Sequence, residues 1–289
     1  MSATAAEILT RTERPRRAGW LHPSGLIGGV IVAAIALTAL VAVFWTPYHA
    51  LLPSNDTLAP MSAHHPFGTD EYGRDVLSRL MAGAKIVLFS GAVSVAIAVV
   101  AGVPIGLAAA AARGRVVDDL LMRLVDLVYA FPALLAAIVL AAAVGASTTS
   151  AMVAIGIASI PVFARVTRAG ALQVLESEYV LAARAYRRST PAILWRHVLP
   201  NIRALLIVQA SLLFSVAILA EAGLSYLGVG TPPPTPSWGQ MVEDAQQYLD
   251  RDPLLVFWPG IFIALAVLGF NLLGDGLRDV LDPRLRSTR

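Results

Sequence analysis

Six stretches of largely apolar residues, each close to twenty long, dominate this sequence: 25–45, 86–112, 120–144, 151–167, 204–229 and 254–273. About twenty apolar residues are what a helix needs to cross the hydrocarbon of a bilayer. In lipid only helices and closed barrels satisfy their own backbone groups, and runs of this length read as helices. The expected fold is therefore all-α, a polytopic membrane protein. Composition agrees: 57% of the 289 residues are hydrophobic and 14% charged, where soluble domains average roughly 25% charged. No repeat of fixed period is evident. The sequence reads as a polar arm, 1–24, followed by one membrane domain, 25–289.

Arginines set the expected orientation. Arg11, Arg14, Arg16 and Arg17 precede the first run, which as a helix is about 31 Å long. A signal peptide has a core of roughly 7–15 residues and a small-residue cleavage site; this run is longer and shows no such site. It reads as a retained anchor with its N-terminus inside. Of the 22 cations, only Arg74, Arg79, Lys85 and Arg251 fall in the segments that six spans leave outside. Six spans with both termini cytoplasmic thus satisfy the positive-inside bias.

Several chemistries are excluded. With no cysteine there is no disulfide framework, thiolate metal site or cysteine nucleophile. The single lysine, Lys85, lies between Ala84 and Ile86, so the Gly-Lys-Ser/Thr of a Walker A loop is absent. GTDEYGRD (68–75) is a near miss for a phosphate loop: Arg74 stands where lysine belongs and no strand precedes it. No HExxH or GxSxG occurs. Adjacent His64 and His65 point apart on most backbones and read as solvated loop residues rather than metal ligands. The chain is expected to hold no catalytic residue, metal or cofactor.

Local features carry further expectations. Val76, Leu77, Leu80 and Met81 form the apolar edge of a short amphipathic helix, with Asp75 and Arg79 one turn apart. Pro104, Pro132 and Pro161 fall in three successive spans and mark bends. Gly102 and Gly106 allow close helix contact, and Gly274 and Gly276 read as stop signals. Arg123 and Asp126, three apart, can pair on one helix face. Glu221 lies deep in the fifth run, a candidate for the pathway or its outer mouth. A structural hydrogen bond to a neighbouring helix is the alternative.

The polar segment 177–200 separates the fourth and fifth runs. Tyr179, Ala182, Ala183 and Tyr186 recur at i, i+3, i+4 and i+7, one face of a short helix. Thr190 suits an N-cap, Pro191 the first helical position, and Pro200 a stop. An ordinary cytoplasmic loop would also be positive. The spacing of Ala182-Ala183 from Leu199-Pro200, however, resembles the EAA loop of ABC-importer permeases. EYVLAARA…RHVLPN, HPFGTDEYGRDVLSR, AEAGLSYLG, PPTPSWG and NLLGDGLRD each resemble the dipeptide, oligopeptide and nickel branch of that family. Two positions depart from the motif: Leu181 replaces its glutamate, and Arg187 replaces the glycine that would permit the turn between two helices.

The resemblance implies a type I importer permease fold in the cell membrane, without enzymatic activity of its own. It implies that Tyr179, Ala182, Ala183, Tyr186, Arg187, Leu199 and Pro200 form the loop that couples to an ATPase. Two ATPase subunits would bind ATP and magnesium, and a second homologous permease would complete a heterodimer. An extracytoplasmic binding protein would deliver the cargo, with Asp70, Arg74, Asp75 and Trp238 as its contacts; no nucleic-acid partner is expected. Peptide is the expected cargo, with nickel or another small solute as the alternative. A self-contained secondary transporter is the reading from another class; it would carry repeat symmetry and ion-coupling acids at the midplane, and neither is clear here.

Overall fold

The computed structural model describes residues 23–281. Nearly all of the polar arm and the last eight residues lie outside the described residues, and so does the expected placement of both termini. The described elements are α1 (Pro23–Phe44), α2 (Val76–Ala111), α3 (Val116–Tyr129), α4 (Ala133–Val144) and α5 (Thr148–Leu175). There follow α6 (Glu178–Ala185), α7 (Thr190–Ile193), a π turn (Leu194–Val198), α8 (Leu199–Tyr226), α9 (Trp238–Ala245) and α10 (Leu254–Leu281). Five helical stretches are each long and apolar enough to cross a membrane, α7 running into α8 as one of them. Counting α3 and α4 as one broken span gives six. Connections alternate between a loop end, which carries α6 and α7, and a cap end, which carries residues 45–75 and α9.

The bundle is held by close approach at small residues. Lipid offers no hydrophobic drive between helices, so packing falls to van der Waals contact and hydrogen bonds. Gly102 sits so close to α5 that a Cβ there would lie 2.6 Å from Phe163 Cβ and 2.8 Å from Ile160 O. On Gly28 it would lie 2.7 Å from Leu272 C, inside the backbone of α10. Gly274 and Gly276 serve the same purpose. The expected stop does not occur, and α10 continues to Leu281. Gly276 instead meets Gly25 of α1, and Gly274 faces Ser211 of α8.

The prolines divide by context. α2 and α5 run unbroken through Pro104 and Pro161, where each helix is packed against the other. Pro132 alone of the three coincides with a break. It is the N-cap of α4, and the expected single span over 120–144 is two helices bent by 78°.

The amphipathic helix expected at 76–81 is the first turns of α2. Asp75 caps it, accepting from Ser78 N–H at 2.8 Å and from Ser78 Oγ at 2.7 Å. Val76 and Leu80 enter the cap-end core with Ile218, Trp238 and Phe270. A second core at the loop end gathers Leu107, Phe163, Val180, Ile193 and Val198.

Gly28→Leu should lower stability by about 2 kcal/mol through overpacking. Gly29→Leu, where nothing lies within 4 Å, should be neutral. Thermal midpoints of the two purified variants in one detergent check this, and equal midpoints would contradict the close contact of α1 with α10.

Candidate functional site

The loop-end segment is anchored in the core by Val180, Ile193 and Val198. Glu176 follows α5 directly and pairs with Arg113, just past the end of neighbouring α2. Ser177 opens α6 from an extended backbone. Val180 is the anchor: it is fully buried and packs with the loop-end core. The opposite face is left uncovered, with Tyr179, Leu181, Ala182 and Tyr186 exposed and Ala183 half-buried. Tyr186 is 84% exposed.

The elbow after α6 is a Schellman turn. Arg188 N–H reaches Ala183 O at 3.3 Å, and Arg187 N–H reaches Arg184 O at 2.9 Å. That closure needs a left-handed residue at the first position past the cap, a seat usually given to glycine. Arg187 takes it, with φ of 55°. The turn that the motif's glycine would permit is thus built with arginine in its place.

The second half differs from the expectation in two ways. Ser189 rather than Thr190 is the N-cap of α7, and Pro191 falls within its first turn. Pro200 does not stop a helix: it sits in the first turn of α8. The π turn before it makes this possible, since Leu199 N–H already reaches back five residues to Leu194 O. Leu199 is half-buried and Pro200 exposed. Trp195, missed from the sequence, is 65% exposed and adds a large apolar side chain to the same end. A tryptophan inside an otherwise polar, arginine-bearing segment was the available signal.

Two ion pairs join α3 to α5. Arg168 grips Asp118 through two bonds, Nε to Oδ1 at 2.8 Å and Nη2 to Oδ2 at 2.7 Å. Asp126 does not pair with Arg123 along its own helix. It accepts from Arg165 Nη2 at 2.6 Å, because α5 brings that guanidinium alongside and over the Tyr129 ring at 4.2 Å.

At the cap end, Asp70 is an organising centre. Its carboxylate accepts from the N–H groups of Tyr72 and Arg74, each at 2.9 Å, from Arg74 Nε at 2.6 Å, and from Arg79 Nη1. Arg79 Nη2 reaches on to Asp244 of α9 at 3.4 Å. The turn-to-turn partnership of Asp75 with Arg79 is therefore not the side-chain pairing. Asp75 binds Ser78 and His65 Nδ1, the latter at 2.9 Å, so His65 is a structural partner rather than a solvated residue. Burial raises the Glu71 carboxyl above its ordinary range, and neighbouring Asp70 and Asp244 push the same way. Trp238 is fully buried and donates from Nε1 to Leu80 O at 2.9 Å. Of the residues expected at a binding-protein contact, Asp70, Asp75 and Trp238 are buried and shape the cap from within.

Glu221 is also fully buried. Its Oε1 accepts from Ser225 Oγ at 2.7 Å and from Thr231 Oγ1 at 3.2 Å. It ties the end of α8 to the loop that follows, and Thr148 Oγ1 of α5 donates to Thr231 Oγ1 at 3.1 Å.

Arg187→Gly should raise stability by about 1 kcal/mol by relieving a left-handed seat, while Arg187→Ala should not; paired thermal midpoints check it. Asp70→Asn should cost about 3 kcal/mol by leaving the Arg79 guanidinium buried without its carboxylate. Asp70→Asn with Arg79→Met should recover part of that loss, and a double variant as unstable as the single would contradict the pairing.

Comparison with known proteins adds to this geometry. Residues 102–287 match the family model described as binding-protein-dependent transport system inner membrane component. The chain is 41% identical over 264 residues to the dipeptide transport system permease protein DppC of Alkalihalophilus pseudofirmus, covering 91% of this chain and 86% of that one. It is 42% identical over 274 residues to the di/tripeptide transport system permease protein DppC of Pseudomonas aeruginosa, covering 92% and 90%. It is 38% identical over 267 residues to the glutathione transport system permease protein GsiD of Pectobacterium atrosepticum, covering 89% and 87%. Its fold is similar to a chain of the inward-facing MetNI methionine ABC transporter. The TM-score is 0.60 and the identity 18%, over 70% of this chain and 96% of that chain.

Proposed function

Because the chain belongs to the family of binding-protein-dependent transport system inner membrane components, we propose that it forms one half of the translocation pathway of a peptide importer. It is a multi-pass protein of the cell membrane and a permease subunit of an ABC importer. The names of its relatives, for dipeptides, di- and tripeptides and glutathione, favour peptide over nickel as the cargo. Membership in this family sets aside a self-contained secondary transporter.

One observation carries the mechanism: α6 presents Tyr179, Leu181, Ala182 and Tyr186 outward from a base fixed by buried Val180. In this reading the loop end is cytoplasmic, both termini lie on that side, and α6 sits in a cleft of a separate ATPase subunit. The small side chains of Ala182 and Ala183 permit close approach there. Two such ATPases hold the ATP and magnesium, and a second, homologous permease completes the pathway.

Force then has a direct route. α6 joins α5 through Glu176 and Ser177 alone, and α5 is packed tightly on α2, which continues into the cap. Closure of the ATPases displaces α6, and the bundle rocks between inward- and outward-facing arrangements, a two-state element that both ends bias. At the outer end a loaded binding protein settles on the cap. Asp70, Arg74, Asp75 and Trp238 hold that platform in shape, and exposed Tyr72, Glu243, Gln246 and Gln247 meet the partner.

Ala183→Arg places a long cation in the close-approach face. Dipeptide uptake by cells carrying this variant should fall at least about ten-fold while its amount in the membrane stays normal. Uptake equal to that of the unaltered chain would contradict the docking assignment.

A further inference from the structure

α3 and α5 each carry a polar stripe, and the two stripes end at one ion pair within the bundle. On α3, Asp119, Arg123 and Asp126 recur at i, i+4 and i+7, one face of a helix, and all three are exposed. Along α5 and its C-cap, Arg165, Gln173 and Glu176 are exposed at a similar spacing, with small Ala169 exposed between them. From Glu176 to Arg165 is about 16 Å of helix, roughly half the thickness of the hydrocarbon core. Beside this stripe α3 also exposes Leu120 and Leu124, and past the pair the stripe itself gives way to apolar residues, with Tyr129, Phe131 and Leu134 on one side and Ile157 on the other. There α3 ends and the chain bends by 78° into α4.

This pair differs from its neighbour. Arg168 and Asp118 meet through two bonds, with Asp118 almost wholly buried, as a structural clamp does. Arg165 and Asp126 meet through one, and their side chains stay 42% and 61% exposed. Among the described residues, Asp126 Oδ1 is the only hydrogen-bond acceptor of the Arg165 guanidinium, and Asp126 Oδ2 has no partner. Charges facing hydrocarbon are costly, and intramembrane ones line cavities or pair across them. A face of this kind belongs against water.

We propose that Arg165 and Asp126 form a split subsite for the two terminal charges of a peptide. The guanidinium takes the terminal carboxylate as a bidentate pair, Asp126 takes the terminal ammonium, and Tyr129 supports the guanidinium. This rests on the peptide reading above. In the present arrangement the two side chains neutralise each other and close the polar stripe. A dipeptide spans about 7 Å when extended, so it parts them, and each side chain exchanges one opposite charge for another. A peptide capped at both ends offers neither charge and leaves both side chains unpaired, so it does not open the stripe.

The chain has no cysteine, so a single introduced one is the only thiol on this subunit, and labelling is read on the band of this subunit. Ala169→Cys and Ala130→Cys, in the intact transporter in membrane vesicles, are treated with a charged, water-soluble maleimide. Alanyl-alanine and its N-acetyl, C-amide form are the probes. Both positions should react, and alanyl-alanine should slow the reaction at residue 130 at least about five-fold while the capped form does not. Arg165→Gln or Asp126→Asn should each remove that protection, and exchanging the two residues should restore it. Absence of labelling at both positions would place the face against another subunit and overturn the subsite. Protection that survives Arg165→Gln would overturn it as well. Uptake separates the two readings: import of alanyl-alanine undiminished by Arg165→Gln sinks the subsite alone, whereas no import by the unaltered transporter sinks the peptide reading with it.

Discussion

How closely α2 can lie on α5 governs the rest of this subunit. Gly102 and Gly106 bring the two backbones together over Ile160–Arg168, and at either position any side chain would meet atoms of α5 at less than van der Waals distance. In lipid such contact replaces the hydrophobic effect as the source of helix association. Its consequence is mechanical as well as energetic. α2 starts in the cap, where Asp75 and Arg79 tie it to the cap loops, and α5 ends at the segment bearing α6. One tight helix pair therefore links the two ends of the molecule.

Charge is used sparingly around that pair, and differently at each level. In the cap, Asp70, Arg74, Arg79 and Asp244 form a part-buried network that fixes α9 against α2. At the loop end Asp118 and Arg168 clamp α3 to α5. Between them Asp126 and Arg165 stay half-made and open to the surface. A network that satisfies its members rigidifies a region. The pair left incomplete is the one placed beside the break in a span.

Much of this was legible in the sequence. Apolar runs fix the helices because lipid permits little else, and the small residues around Ala182 and Ala183 mark the loop. Context-dependent features were not legible. Gly274 and Gly276 look like helix stops in a string of letters, yet a neighbouring helix made them contact points. Pro132 falls at a break whereas Pro104 and Pro161 lie inside helices that run on, and no local rule separates the three. Asp126 pairs with Arg165 rather than Arg123, because spacing along one helix does not report what a neighbouring helix lays alongside. Arg187 is the inverse case: the missing glycine left the geometry of the elbow open, and the Schellman hydrogen bonds formed with arginine in the left-handed seat. His65, Asp75 and Trp238 read as surface residues because nothing in a polar loop sequence shows that the loop folds back into a packed cap.

On the proposed function, this chain works as one membrane subunit of a larger machine driven through α6. Purifying a tagged copy in mild detergent, from cells that express its neighbouring genes, tests it most directly. A second permease and P-loop ATPases should remain bound at fixed stoichiometry. Recovery of the chain alone across several detergents, with peptide uptake intact in the source cells, would contradict it.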